Sequence, residues 1–119
     1  MSWRPALGLH HPSETEQLSG RTVDGAVTYI KLLKKTGTVG SGNIDITHGV
    51  TGMLKCYAIY GGVGNADGRK LPIPYAASSA VDYITPRVRP SDVRFAISTS
   101  WAGADALEDL WFIIEYSKT

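Results

Sequence analysis

The side chains able to carry chemistry are few in this sequence and widely spaced. Cys56 is the single cysteine and sits in an apolar run, Met53–Tyr60. No G-x-S-x-G or papain-like neighbourhood surrounds it or any serine. A lone cysteine excludes an intrachain disulfide and cannot hold zinc unaided, so the role expected of Cys56 is that of a small core hydrophobe. His10 and His11 are adjacent in the chain, and neighbouring side chains seldom converge on one ion, so the pair reads as part of a solvated lead-in. His48, between Thr47 and Gly49, reads as a turn or surface histidine. Asn65-Ala66-Asp67-Gly68 has the oxygen-rich start of a calcium loop but lacks the distal bidentate glutamate. The glycines at 37, 40 and 42 are followed by no Lys-Ser/Thr pair, so they serve turns and not phosphate. The 11 acids are scattered singly. The nearest two, Glu108 and Asp109, read as a solvated face, and glycoside cleavage would need two facing acids. The sequence therefore nominates no catalytic residue, no metal ligand and no cofactor, and points to a protein that is not an enzyme.

Binding chemistry is better represented. Trp101, Tyr60, Tyr75 and Tyr83 fall at or near the ends of expected strands, where an aromatic face can stack on the apolar side of a sugar ring. Asn65, Asp67 and Arg69, in the polar stretch 61–70, can supply the hydrogen bonds that orient it. The candidate ligand residues are thus Trp101, Tyr60, Asn65, Asp67, Arg69 and Tyr75, with Trp101 and the 61–70 loop foremost. For each aromatic, a core or subunit-contact role is the competing reading.

The elements that must position these groups follow from composition and pattern. A chain of 119 residues and 12.8 kDa is one domain. Size scaling puts about two-thirds of its open-chain surface out of water on folding, enough for a core without staples. Its net charge of +1 lacks the basic footprint of a nucleic-acid binder. No apolar run reaches the ~20 residues of a membrane span, and no signal core with a cleavage site opens the chain, so a soluble protein outside the secretory route is expected. Glycine and proline, 13 and 6 residues, favour many short strands over long helices. Residues 1–17 carry no period and read as an extended lead-in or arm; residues 18–119 read as the folded domain.

Within that domain, Leu18–Val23 and Ala26–Lys35 flank Asp24-Gly25, the strongest short-range hairpin signal there is, because a type I′ turn needs positive φ at both central residues. Asn43–Thr47 alternates as a half-buried strand, and Met53–Tyr60 reads as a strand covered on both faces. Leu71–Tyr75, with Pro72 and Pro74, fits only an edge or an extended segment. Val81–Thr85 is a short strand. In Asp92–Ser100, Val93, Phe95, Ile97 and Thr99 point inward, with Asp92, Arg94, Ala96, Ser98 and Ser100 outward. The run Leu110–Tyr116 is apolar on both pleat faces, as a central strand is, with a helical turn expected over 103–109. Lys31, Lys34 and Lys35 are expected to protect a sheet edge.

The order of several short motifs resembles the C-terminal head domains of phage tail fibres and receptor-binding proteins. They are Ser13-Glu14-Thr15-Glu16-Gln17, Gly20 to Tyr29 around Asp24-Gly25, Asn43-Ile44-Asp45, Gly52-Met53-Leu54-Lys55, Pro72-Ile73-Pro74-Tyr75 and Ile114-Glu115-Tyr116-Ser117-Lys118-Thr119. The resemblance runs from Pro12 to the end and departs from the family at Thr22 and Ala26, where a tryptophan and a lysine are usual. It implies an all-β, antiparallel, jelly-roll-like β-sandwich that forms a homotrimer on a virion, as a tail fibre, spike or head fibre, and binds host cell-surface glycan. It supplies no set of ligand residues. The alternative is a structural virion protein, a head fibre or a capsid or tail decoration, that contacts other virion proteins and no sugar. A tail strand apolar on both faces fits either, if one face packs the protomer and the other its threefold partner.

Overall fold

The computed structural model of the chain describes residues 13–64, 70–76, 82–101, 104 and 106–119. It is all-β with two antiparallel sheets, compatible with a β-sandwich. The strands are β1 (Gln17–Val23), β2 (Ala26–Thr38), β3 (Gly42–Thr47), β4 (Met53–Gly64), β5 (Lys70–Ile73), β6 (Tyr75–Ala76), β7 (Tyr83–Val88), β8 (Asp92–Ile97) and β9 (Glu108–Lys118). One sheet has the order β1-β2-β9-β4-β5 and the other β3-β8-β7-β6. No helix among the described residues is long and apolar enough to cross a membrane.

Local chemistry explains the elements. Asp24 and Gly25 take φ of 53° and 77°, the mirror-image turn that the dipeptide favours, and β1 and β2 pair outward from it. Pro72 lies on β5, an edge of its sheet, and the Ile73–Pro74 bond, which is cis, separates β5 in one sheet from β6 in the other. Pro86 lies within β7 opposite Phe95, beyond the two residues that β6 pairs, so no neighbour on that side asks for its missing N–H.

The core lies between the sheets. Val93, Phe95 and Ile97 from β8 and Ile84 from β7 meet Leu110, Phe112, Ile114 and Tyr116 from β9, all nearly inaccessible. The Phe95 and Phe112 rings pack edge to face with centroids 4.8 Å apart. Each such side chain removed from water contributes roughly 1.5–3 kcal/mol. Trp101 and Ala104 accept successive i→i+3 bonds at 3.0 and 3.1 Å, a single tight turn where a helical turn was expected.

Several expectations need correction. β4 does not stop at Tyr60 but continues through Gly61–Gly64, because glycine alone lets its backbone lie against β9 there: a Cβ on Gly61 would fall 2.6 Å from the Phe112 Cα. The alternation of β8 ends at Ile97, so Ser98 is buried and Thr99 is exposed. β1 pairs with β2 only from Ala26 to Ile30, so Lys31, Lys34 and Lys35 lie on the stretch of β2 beyond that pairing, laddered to β9 on one side, and Lys31 donates to the His48 carbonyl at 2.6 Å. His48 is buried, not a surface residue. Its Nδ1 accepts from the Val50 N–H at 3.0 Å, which leaves Nε2 to donate to the Arg89 carbonyl at 2.9 Å. The end of the lead-in is tied down: Leu32 N–H donates to the Ser13 carbonyl at 2.8 Å, and Glu16 accepts from Tyr116 at 2.5 Å and Lys118 at 2.9 Å.

Candidate functional site

The residues nominated from sequence do not converge. Tyr75 and Trp101 do meet, their rings stacked with centroids 5.5 Å apart and 24° between planes. Both are half-buried and pack against the core, so the pair closes an end of the apolar layer as much as it offers a surface. Tyr60 is elsewhere. It is opposite Ile113 in the β4–β9 ladder, whereas its neighbour Gly61 is opposite the core residue Phe112, so Tyr60 projects from the outer face of the five-stranded sheet and is 50 % exposed. Asn65, Asp67 and Arg69 lie outside the described residues.

That outer face holds the functional candidates that sequence reasoning had placed differently or missed. Three rows cross β2, β9 and β4: Lys34, Trp111 and Gly62; Leu32, Ile113 and Tyr60; Ile30, Glu115 and Ala58. Ile113 is 4 % exposed, buried with no partner chain present, which corrects the expectation that a second copy must cover the whole strand. Trp111 is different, being 42 % exposed. Its indole extends over Gly62, where a Cβ would come within 3.0 Å of Nε1. Between Trp111 and the Leu71–Pro72 edge runs an open groove of about 650 Å³, floored by Gly61–Gly64 and flanked by Glu108 and Asp109. Trp111 and Tyr60 thus form a diagonal pair of exposed aromatics, a spacing at which large side chains on a sheet can act together.

Electrostatics separates structural from available groups. Arg21 reaches from β1 to β9 and holds Glu115 through Nε at 2.7 Å and through Nη2, while Thr28 donates to the same carboxylate at 2.6 Å. The Arg21 contact keeps Glu115 below the usual carboxylate range; burial opposes this and Thr28 adds to it. A buried carboxylate with its partners in place is a counter-charge, not a general base. Burial pushes the Cys56 thiol up, so it does not offer a ready thiolate, in keeping with its packing against the core. Burial, with Glu16 as acceptor, likewise pushes the Tyr116 phenol well above its ordinary value. Among the described residues, no three His, Cys, Asp or Glu side chains come together as a metal site.

No protein-family model matches the chain, nor does any curated protein or any solved structure.

Proposed function

We propose that the chain is a non-enzymatic adhesion module of a phage virion, a jelly-roll-like β-sandwich head that assembles as a homotrimer and holds host cell-surface glycan. The observation that carries this reading is the outer face of the five-stranded sheet. There Trp111 and Tyr60 stand exposed beside Leu32, on a strand whose other face is already filled by Phe112, Ile114 and Tyr116. Exposed aromatics grouped on one face are the mark of an association surface. Charges of both signs rim the Trp111 end, with Lys34 and Lys35 on β2 and Glu108 and Asp109 on β9, so that one copy can meet the next with opposite charges facing. The nested pairing of β2 with β9 and of β3 with β8 supports the jelly-roll-like wrapping. On this reading Tyr60 belongs to the subunit contact, and the stacked Tyr75–Trp101 pair is the aromatic element left for a sugar, where threefold presentation adds avidity to weak sites.

Light scattering tests the assembly. The expected result is a trimer that Trp111→Asp converts to a folded monomer; a wild-type monomer at micromolar concentration overturns the reading. A glycan array with whole-cell binding tests the ligand. Adhesion requires that Trp101→Ala abolish binding while the trimer persists. Saturable binding to purified capsids or tails with no glycan bound would assign the chain to the structural virion proteins instead.

A further inference from the structure

The outward face of the four-stranded sheet is a lattice of charges in which, among the described residues, one arginine makes no ion pair. Across β3, β8 and β7, one row reads Asp45, Arg94 and Arg87, and the next reads Asn43, Ala96 and Thr85. Arg94 spends Nε and Nη2 on Asp45 at 2.7 and 2.9 Å. Arg89 grips Asp92 at 2.6 and 2.8 Å and lies 3.6 Å from Asp45. Both carboxylates are therefore taken. Arg87 is exposed and, among the described residues, makes no ion pair, although it lies directly opposite Arg94 in the ladder. Like charges opposed on a sheet repel, and an anion between them removes the repulsion.

A receptacle for that anion lies beside the two guanidiniums. Ala96 is too small to fill its place in the row, and a hollow of about 200 Å³ remains, rimmed by Asn43, Thr85, Arg87 and Arg94. Asp45 is on the far side of Arg94, across β8 from Arg87. We propose that this hollow binds one anionic group, a carboxylate or phosphate, carried on a saccharide or free in solution. Arg87 and the Nη1 amine of Arg94, which Asp45 does not use, supply the charge. The Thr85 hydroxyl and the Asn43 amide supply neutral donors, and charge-assisted bonds of this kind are the strong ones. The hollow is on the sheet opposite the proposed subunit contact, so either reading can fail without the other.

The test is an amide-resonance titration of the full chain with glucuronate, inorganic phosphate and, as the neutral control, glucose. Saturable shifts at Thr85–Arg87 and Arg94–Ala96 are expected from the anions and not from glucose, and they should weaken with added salt. Binding of glucuronate, with or without phosphate, assigns the group to a saccharide; binding of phosphate alone assigns it to free phosphate. Arg87→Ala should weaken the anion at least about tenfold, a change of roughly 1.4 kcal/mol. Ala96→Met keeps every charge and fills the hollow, and should do the same, so the proposal stays testable if Arg87→Ala folds poorly. Absence of saturable shifts up to about 50 mM anion at constant ionic strength, far above millimolar affinity, overturns the proposal. So does anion binding that neither variant weakens.

Discussion

The sharpest consequence of the fold concerns two adjacent glycines. At Gly61 the central strands β4 and β9 approach so closely that an added Cβ would fall 2.6 Å from the Phe112 Cα and 2.8 Å from its Cβ, and nearer still to the Trp111 carbonyl oxygen. None of these atoms can rotate away, because Phe112 is held on its other side by Leu33 of β2 and its ring is locked against Phe95. Gly61→Ala must therefore spread the two strands. Overpacking of this kind costs roughly 1–3 kcal/mol, and one or two distorted ladder bonds add about 1 kcal/mol each, for a loss of about 2–5 kcal/mol. In a domain of this size that lowers Tm by roughly 10–20 °C. Gly62→Ala is the internal control. Its Cβ would meet Trp111 Nε1 at 3.0 Å, the far end of an exposed side chain that can swing into water, so the loss should stay within about 1 kcal/mol. Urea denaturation with unchanged m-values, supported by thermal melts, measures both. Equal losses for the two variants, or a loss under about 1 kcal/mol for Gly61→Ala, would refute the close approach of β4 and β9.

Two further outcomes are expected. Arg21 holds Glu115, Arg94 holds Asp45 and Arg89 holds Asp92 below their ordinary carboxylate pKa values, and Glu16 is also lowered, its bonds from Tyr116 and Lys118 outweighing burial. A depressed folded-state pKa gives stability that is complete above the unfolded value, near pH 4–4.5, and is lost as pH falls through the folded one. Unfolding free energy measured from pH 7 to 2 should fall only below about pH 4.5, and Glu115→Gln should flatten that acid limb. His48→Ala removes both the acceptor for Val50 N–H and the donor to the Arg89 carbonyl, so stability should drop by about 1–3 kcal/mol and hydrogen exchange at the Val50 amide should quicken; unchanged exchange would show that the ring does not pin this turn.

What could be read in the sequence was whatever local chemistry decides. Asp24-Gly25 named its hairpin because only positive φ suits that turn, and Val93–Ile97 displayed one buried face because side chains alternate along a strand. The misreadings share a cause in long-range packing. Four residues from Gly61 to Gly64 include three glycines and resemble a loop until β9 is known to lie against them. His48 is buried by bonds that include one to Arg89, 41 positions away, and Arg21 meets Glu115 across 94. No periodicity signals such pairs. The candidate site suffered most from this, since Tyr60 and Tyr75 look alike by strand position, yet the ladder turns Tyr60 outward from one sheet, while Tyr75 stacks half-buried on Trp101 against the core.

If copies associate as proposed, the outer face of β9 narrows where they can meet. β9 reads as apolar on both faces, but the chain itself deals with most of the outer one: Ile113 is buried between Leu32 and Tyr60, and Glu115 is neutralised by Arg21 and Thr28. On this face, among the described residues, the Trp111 end, with Tyr60 diagonal to it, leaves large aromatic surface in water. On the proposed trimer, the contact between copies centres there, where Lys34 and Asp109 stand near the indole, and does not spread along the whole strand. A charge placed at Trp111 strikes the middle of such a contact. Leu54, 61 % exposed near the opposite end of β4, lies well outside it, so Leu54→Asp should leave the assembly state unchanged. If Leu54→Asp dissociates the protein and Trp111→Asp does not, the copies meet at the wrong end of the sheet for this account of β9.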